Sequence, residues 1–288
     1  MLREPPPHPL SGIGVEELEL LRPVGAGGIA ELWLARHPHC DTPFVVKLAR
    51  QELANNPHVI AQFEREWRAT RLLTHPGIIP HYSQGMSHDG RSFLTMEHVV
   101  GRPLTHFVKC PARWKFLRAV LTQLCEVLEF VHEYDVLHQD LKPGNIMLDL
   151  ERRRVRLTDF GLARFDRAEP GSTSSTVLGT PAYMAPEQAR GYTGLLGPAT
   201  EMYTVGVLIY ELLSGQKPFS DRNDRAVMIK HCKAEPPPLR IRKGIDAPVG
   251  IRAVVERLLA KTPEERYPNA AALKQALLSL EANTAQPE

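Results

Sequence analysis

The sequence predicts an α+β fold in which a strand-rich half precedes a mainly helical half. Short apolar segments separated by Gly, Pro or Asp-Gly breaks follow one another from residue 18 to about residue 100. One amphipathic helix interrupts them, and long amphipathic helices dominate after Gly101. Strands followed by helices, rather than alternating with them, indicate a small antiparallel sheet and a larger helical part, with a boundary between Val99 and Leu104.

The strand-rich half, residues 15–100, contains five predicted strands: LELLRPV, ELWLAR, FVVKLAR, IIPHYSQ and SFLTMEHV. A helix from Pro57 to Leu73 is predicted between the third and fourth strands by the helical spacing of Ile60, Phe63, Trp67 and Arg71. His75-Pro76-Gly77 would end this helix.

In the helical half, residues 101–282, the clearest predicted helix runs from Trp114 to His132. Its apolar stripe consists of Leu117, Val120, Leu121, Leu124, Val127, Leu128 and Val131. Further helices are predicted over Glu201 to Ser214, Arg225 to Cys232, Val249 to Lys261 and Asn269 to Leu280. Residues 1–14, rich in Pro and Gly, are expected to form a flexible leader, and residues 283–288 a tail.

Composition excludes several classes of protein. Apolar residues make up 43% and charged residues 24% of 288 residues, which is typical of a globular protein. No run of 18 apolar residues predicts a membrane span, and the first residues lack a signal-peptide core, so a cytoplasmic location is expected. A net charge of +2 gives no reason to expect nucleic acid as a partner. Four scattered cysteines are expected to be reduced thiols rather than zinc ligands.

A glycine-rich turn follows the first strand. Backbone N–H groups in such a turn can approach phosphate oxygens because no Cβ is in the way. A dinucleotide-binding fingerprint would need a helix next, whereas ELWLAR continues as a strand. An ordinary glycine hairpin remains an alternative at this point. The candidate phosphate-binding residues are Val24, Gly25, Ala26, Gly27, Gly28, Ile29, Ala30, Glu31 and Leu32.

A lysine lies in the apolar third strand. Lys47 would be buried there and needs an anionic partner. Glu66 on the following helix is the natural candidate, because Glu64 lies about 200° away around the helix. A solvated edge lysine and an unpaired surface glutamate are the simpler alternatives.

Three motifs follow in a fixed order. The segment VLHQDLKPGNIML contains His138, Asp140, Lys142 and Asn145, and it is followed by Asp159-Phe160-Gly161 and then by Ala185-Pro186-Glu187. Together they resemble the catalytic loop, the metal-binding loop and the end of the activation segment of protein kinases. The resemblance covers residues 18 to 282. It rests on the order of the motifs, since any one tripeptide occurs by chance.

The resemblance implies a bilobal protein-kinase fold and transfer of the γ-phosphate of ATP to a protein hydroxyl. By resemblance, Asp140 would position that hydroxyl and Lys142 would offset charge on the γ-phosphate. Lys47, oriented by Glu66, would neutralise the α and β phosphates. Asn145 and Asp159 would hold Mg²⁺, with Mn²⁺ as an alternative cation.

The same resemblance implies that adenine binds at the connection between the two halves, Met96-Glu97-His98-Val99, in a cleft between lobes. The backbones of Glu97 and Val99 would form the hydrogen bonds, next to Met96. Leu32, Val45 and Met147 would enclose the ring, although plain core packing also explains three apolar residues.

Lys142 and Thr180 indicate specificity for Ser and Thr, and GTPAYMAPEQ and PEERYP are similar to bacterial eukaryotic-like (Hanks-type) Ser/Thr kinases. The hydroxyl-rich stretch Ser172-Thr173-Ser174-Ser175-Thr176 is expected to be autophosphorylated, unless it is merely a solvated polar loop.

Some residues depart from the family pattern. Gln139 replaces the usual arginine before Asp140, so activity is expected to depend little on loop phosphorylation. Glu201 replaces an aspartate that anchors the catalytic loop, and Ala30 replaces a third glycine. Glu187 is expected to form a buried structural pair with Arg266.

Two other functions remain as alternatives: a pseudokinase scaffold that binds nucleotide without efficient transfer, and a small-molecule phosphotransferase of the aminoglycoside type. The second would lack Lys142, Thr180 and the Ala-Pro-Glu segment. The expected partners are protein substrates. Dimerisation, and the question of whether the chain is part of a longer receptor, are left open.

Overall fold

The computed structural model describes residues 13–38, 40–165 and 179–280, with Cys40 described by its backbone alone. The chain divides into two compact units, residues 1–100 and 101–288. The first is built on an antiparallel sheet and the second is mainly helical, which confirms the predicted α+β class. In the described residues no helix combines the length and the apolar character that a membrane crossing requires.

The N-terminal unit contains a five-stranded antiparallel sheet of order β1-β2-β3-β5-β4. All five predicted strands are present, as β1 (Glu19–Ala26), β2 (Ala30–His37), β3 (Cys40–Ala49), β4 (His81–Met86) and β5 (Ser92–Glu97). The fourth begins three residues later than predicted, because Ile78 N–H donates to the His75 carbonyl and closes a turn there.

Helix α1 (Pro57–Leu72) packs on β4 and β5. Asn56 caps its first turn by accepting a hydrogen bond from the His58 N–H, and proline occupies the first helical position, where its missing N–H costs nothing.

The buried face of α1 is made by Val59, Phe63, Glu66, Ala69 and Thr70. Of the residues whose spacing predicts the helix, Phe63 is buried, Ile60 and Trp67 are half-buried and Arg71 is exposed, with its guanidinium 5.6 Å from the Trp67 ring centroid. The buried face therefore includes polar as well as apolar residues, and Glu66 is one of them.

The other face of the sheet covers a small core formed by Val15, Leu18, Ala35, Phe44, Val46, Leu48 and Phe93. Ile13 packs against this core, and Gly14 N–H donates to the Glu17 side chain. Two residues that were assigned to the flexible leader, Ile13 and Gly14, thus have contacts within this unit. Residues 1–12 and the predicted tail lie outside the described part of the chain.

The C-terminal unit contains seven helices within its described residues: α2 (Thr105–Lys109), α3 (Trp114–Glu133), α4 (Pro186–Ala189), α5 (Pro198–Ser214), α6 (Asp224–Lys233), α7 (Ile251–Leu258) and α8 (Ala270–Ser279). It also contains two small sheets that the sequence analysis did not predict. One has the order β6 (Gly101–Pro103), β8 (Ile146–Asp149), β9 (Arg154–Leu157), and the other pairs β7 (Val136–Leu137) with β10 (Arg164–Phe165).

Helices α3 and α5 form the core of this unit. All seven residues of the predicted α3 stripe are buried. Residues 200–213 of α5 are buried without exception, as expected for a helix packed on every side. Helix α5 starts at Pro198, earlier than predicted, and ends at Gly215, whose φ of 77° suits a glycine cap. These helices hold the loops that carry the predicted catalytic residues.

Candidate active site

The predicted phosphate-binding turn connects β1 to β2. Gly27 N–H donates to the Ala30 carbonyl at 2.8 Å, and Arg50 Nε donates to the Gly27 carbonyl at 2.9 Å. A Cβ built on Gly28 would meet nothing within 4 Å, and one on Gly27 would meet only the Ala30 carbonyl, at 3.9 Å. Packing therefore does not require glycine at these two positions, whereas close approach of a ligand would. Arg50 was not predicted to contribute.

Lys47 and Glu66 form an ion pair in the N-terminal unit. Lys47 Nζ donates to Glu66 Oε2 at 2.6 Å, and the two side chains are 9% and 1% exposed. Lys47 is on β3, which lies between β2 and β5, so it is neither at a sheet edge nor solvated. The second carboxylate oxygen, Glu66 Oε1, lies 3.3 Å from the buried His81 Nε2, a neighbour that the sequence analysis missed.

The residues predicted to bind adenine lie on adjoining strands. Val45 and Met96 pair in register across β3 and β5, and both are buried. Glu97 N–H donates to the Pro80 carbonyl at 3.1 Å, and Val99 is buried just beyond β5. Leu32 pairs with Lys47 across β2 and β3, whereas Met147 is on β8 of the C-terminal unit.

In the C-terminal unit, four predicted residues meet at the carboxylate of Asp140. Asp140 Oδ1 accepts hydrogen bonds from Thr180 N–H at 2.9 Å and from the Thr180 hydroxyl at 2.7 Å. Asp140 Oδ2 accepts from Lys142 Nζ at 2.5 Å. Lys142 Nζ also donates to Thr180 Oγ1 at 3.2 Å, and the Asn145 amide nitrogen donates to the Asp140 main-chain carbonyl at 2.9 Å. The result is a fixed carboxylate with an ammonium and a hydroxyl beside it.

The amide of Asn145 is oriented by these contacts. Its nitrogen faces Asp140, so its oxygen points the other way, and no hydrogen bond to that oxygen occurs among the residues described. An amide oxygen is a ligand that hard cations such as Mg²⁺ accept. Asp159 follows β9 with φ of 67°, and the next residue, Phe160, is fully buried with its ring 4.6 Å from that of His138. Asn145 and Asp159 thus offer oxygen ligands of the kind that Mg²⁺ prefers.

Glu201, at the start of α5, anchors the catalytic loop. Its Oε1 accepts the N–H groups of His138 at 2.6 Å and Gln139 at 3.0 Å, and its Oε2 lies 2.6 Å from His132 Nε2. Gln139 has φ of 64°, which lets two successive N–H groups converge on one oxygen. Burial by itself raises the pKa of Glu201, but the hydrogen bond and charge of His132 outweigh it and hold that pKa below its usual value. The longer glutamate therefore serves in the aspartate position, and His132 supports it.

The ring of His138 packs inside this loop. Its Nε2 lies 2.9 Å from the Thr158 carbonyl, which can only accept, so Nε2 carries the hydrogen. Its Nδ1 accepts Asp140 N–H at 3.3 Å. Since the ring is completely buried, its role is to shape the loop rather than to touch substrate.

The predicted structural pair is also present. Arg266 donates to both oxygens of Glu187, at 2.8 and 3.0 Å, and both residues are buried. Among the described residues, no group of three or more His, Cys, Asp or Glu side chains could hold a metal ion. The Ser172 to Thr176 stretch lies outside the described residues.

Comparisons with known proteins give one family. The protein kinase domain family matches residues 18–278. The serine/threonine-protein kinase PknA of Mycobacterium tuberculosis is 34% identical over 274 residues, which are 93% of this chain and 62% of PknA. Pkn1 of Myxococcus xanthus is 34% identical over 274 residues, 93% of this chain and 39% of that protein. PknB of Mycolicibacterium smegmatis is 33% identical over 270 residues, 91% of this chain and 43% of that protein.

A solved structure shares the fold. The kinase domain of PknI from Mycobacterium tuberculosis superposes with a TM-score of 0.68 at 24% identity, covering 91% of this chain and 94% of that one. The chain spans between 39% and 62% of the length of the three relatives above. With the family matching from Leu18 to near the end of α8, the chain belongs to the protein kinase domain family.

Proposed function

We propose that the chain is a Ser/Thr protein kinase that transfers the γ-phosphate of ATP to Ser and Thr hydroxyls of proteins, including its own. The observation that carries the proposal is the set of contacts around Asp140, whose carboxylate is fixed between Lys142 and Thr180 beside the Asn145 amide. The three relatives compared above all carry the name serine/threonine-protein kinase, which supports the same class.

Each residue has a role in this proposal. Asp140 orients the acceptor hydroxyl and receives its proton as the oxygen attacks the γ-phosphorus and the bond to the β-phosphate oxygen breaks. Lys142 offsets the negative charge on the transferred group. Lys47 binds the α and β phosphates, with Glu66 fixing its direction, and the N–H groups of the glycine turn bind phosphate oxygens.

ATP would be bound as its Mg²⁺ complex, with Mn²⁺ as an alternative cation. Asn145 and Asp159 would hold the cation, which when bound neutralises charge on the phosphate oxygens. For adenine, Glu97 would use its carbonyl, because its N–H already donates to Pro80. Val99 would supply the N–H beside it. Leu32, Val45, Met96 and Met147 would provide the apolar contacts.

The test is transfer of radiolabelled phosphate from ATP to the chain itself and to a generic protein substrate. Asp140→Asn preserves the size of the side chain but removes the proton acceptor, so the rate should fall at least about 100-fold. Binding of a non-hydrolysable Mg-ATP analogue should be retained, which shows that the variant is folded.

Two results would contradict the proposal. If Asp140→Asn transfers phosphate at the wild-type rate, Asp140 is not the acceptor of the proton. If the wild-type chain binds nucleotide and transfers nothing, the pseudokinase alternative is correct. Transfer to aminoglycosides but not to proteins would favour the small-molecule alternative, against which the Lys142 and Thr180 contacts now argue.

A further inference from the structure

A buried histidine faces the Lys47–Glu66 pair. His81 is the first residue of β4, and its side chain is 0% exposed. Its Nε2 lies 3.3 Å from Glu66 Oε1, the oxygen that Lys47 does not use. Among the residues described, neither ring nitrogen of His81 and no donor to Glu66 Oε1 completes a hydrogen bond.

Chemistry restricts how these two groups coexist. A carboxylate oxygen presents only lone pairs, so an imidazole nitrogen held 3.3 Å away must carry a hydrogen or the two atoms repel each other. Glu66 is 1% exposed, so this oxygen lies away from bulk solvent. The Thr70 hydroxyl, one turn further along α1, donates to the Glu66 main-chain carbonyl and is not aimed at the carboxylate.

The ring of His81 lies beside the ion pair. From α1 it faces Glu66, and beyond that carboxylate lies the ammonium of Lys47 on β3. Its partner in register on β5 is Met96, which is apolar, and the ring of Phe63 lies 5.7 Å from Lys47 Nζ. Within the described part of this unit, His81 is therefore placed to act on the Lys47–Glu66 pair.

We propose that His81 is a positioning residue for the phosphate-binding lysine: its ring holds the Glu66 carboxylate in the orientation that directs Oε2 toward Lys47. This inference rests on the proposed function. The hydrogen on Nε2 faces Oε1 and leaves Oε2 free to accept from Lys47. Without the ring, the carboxylate could rotate away from Lys47, and nucleotide binding should weaken.

The experiment compares wild type, His81→Leu and His81→Gln. Leucine fills similar space without a donor, whereas glutamine retains an N–H near the position of Nε2. Affinity for a non-hydrolysable Mg-ATP analogue is measured by calorimetry. The KM for ATP and kcat are measured in parallel, and thermal melting confirms folding.

His81→Leu should bind the analogue about tenfold more weakly than wild type, because Glu66 Oε1 loses its polar neighbour, and His81→Gln should bind within about threefold of wild type. Equal affinity of wild type and a folded His81→Leu, or failure of His81→Gln to retain the affinity that His81→Leu loses, would overturn the inference.

The outcomes separate this inference from the proposed function. A chain that binds the analogue but transfers no phosphate would contradict the function, while the affinities still decide the role of His81. A chain that transfers phosphate with identical affinities in all three forms would contradict the role of His81 and leave the function intact.

Discussion

At the scale of single residues, Glu201 shows how a substitution in the family pattern is accommodated. The side chain is one methylene longer than aspartate, and its carboxylate still accepts two successive N–H groups of the catalytic loop. Its second oxygen meets His132, at the end of α3. The extra length is thus used to reach a partner on another helix rather than to displace the loop.

Replacing this anchor should lower stability in a pH-dependent way. Glu201→Gln keeps an acceptor for the two N–H groups but loses the charge that faces His132, so the free energy of unfolding should fall by about 2 kcal/mol at neutral pH. Because the pKa of Glu201 is lowered in the folded chain, its contribution is complete above the unfolded value of about 4.3 and is lost as pH falls through the folded value. Urea unfolding from neutral pH to about pH 3 measures this. A gap between wild type and variant that stays constant down to pH 3 would refute the linkage.

Gln139 contributes to the catalytic loop although it stands where the family has an arginine. Its left-handed backbone, rather than its side chain, contributes to the loop, by presenting an N–H to Glu201 and a carbonyl to the Gln188 amide at 3.3 Å. A cation is therefore not needed at this position to hold the loop. This agrees with the expectation that activity depends little on phosphorylation of Ser172 to Thr176, which remains a prediction.

At the scale of elements, much of the fold could be predicted because the long elements carry a clear sequence pattern. The α3 stripe follows from one buried face, whereas the five strands of the first sheet are recognisable as short apolar segments between Gly, Pro or Asp-Gly breaks. The strands β6 to β10 were missed because two to four residues are too few to show an alternation. The buried face of α1 could not be read from apolar spacing alone, because it carries Glu66 and Thr70.

The same reasoning explains what was found and missed in the candidate site. Asp140, Lys142, Asn145 and Asp159 are recognisable because they stand at fixed spacing within motifs. His81, His132 and Arg50 act through neighbours that are distant in sequence, and a lone histidine or arginine carries no local signal. Only the packing of α1 on the sheet, and of α3 beside α5, brings the two histidines to their carboxylates.

The Arg266 side chain joins α4 to the segment between α7 and α8. It donates to Glu187 and to the carbonyls of Ala199, Ala260 and Lys261. Arg266→Met leaves a buried carboxylate without its partner, so the free energy of unfolding should fall by about 3–5 kcal/mol.

Denaturant unfolding with a matched double variant tests the cause of that loss. Combining Arg266→Met with Glu187→Gln removes the stranded charge and should recover part of the stability, although the three carbonyls still lack a donor. A double variant less stable than Arg266→Met would show that the unpaired carboxylate is not the source of the loss.

At the scale of the whole molecule, one buried histidine should shape the acid dependence of stability. His231 on α6 is fully buried, with its Nδ1 2.9 Å from the Tyr203 hydroxyl. Burial, reinforced by the charge of Lys261, lowers the pKa of His231 to about 4. The unfolded chain takes up this proton near pH 6.5 and the folded chain does not.

The wild-type chain should therefore lose up to about 3 kcal/mol of stability from this group as pH falls from about 6.5 to about 4. His231→Asn offers Tyr203 an acceptor that does not titrate. The His231→Asn variant should be less stable than wild type at neutral pH, because asparagine fills less space than histidine. Its free energy of unfolding should nevertheless change less than that of wild type between about pH 6.5 and about pH 4. Parallel slopes for the two proteins, measured by denaturant unfolding at intervals of half a pH unit, would assign the acid dependence to other groups.

The hydrogen bond between Thr180 and Asp140 has a consequence for the fidelity of the proposed reaction. The Thr180 hydroxyl occupies the Asp140 carboxylate oxygen that an acceptor hydroxyl would use, and because Thr180 belongs to the same chain its local concentration is high. A Ser or Thr of a protein substrate can displace Thr180, because other contacts of the substrate contribute to its binding. A water molecule has no such additional contacts, so the arrangement disfavours hydrolysis of ATP in the absence of a protein acceptor.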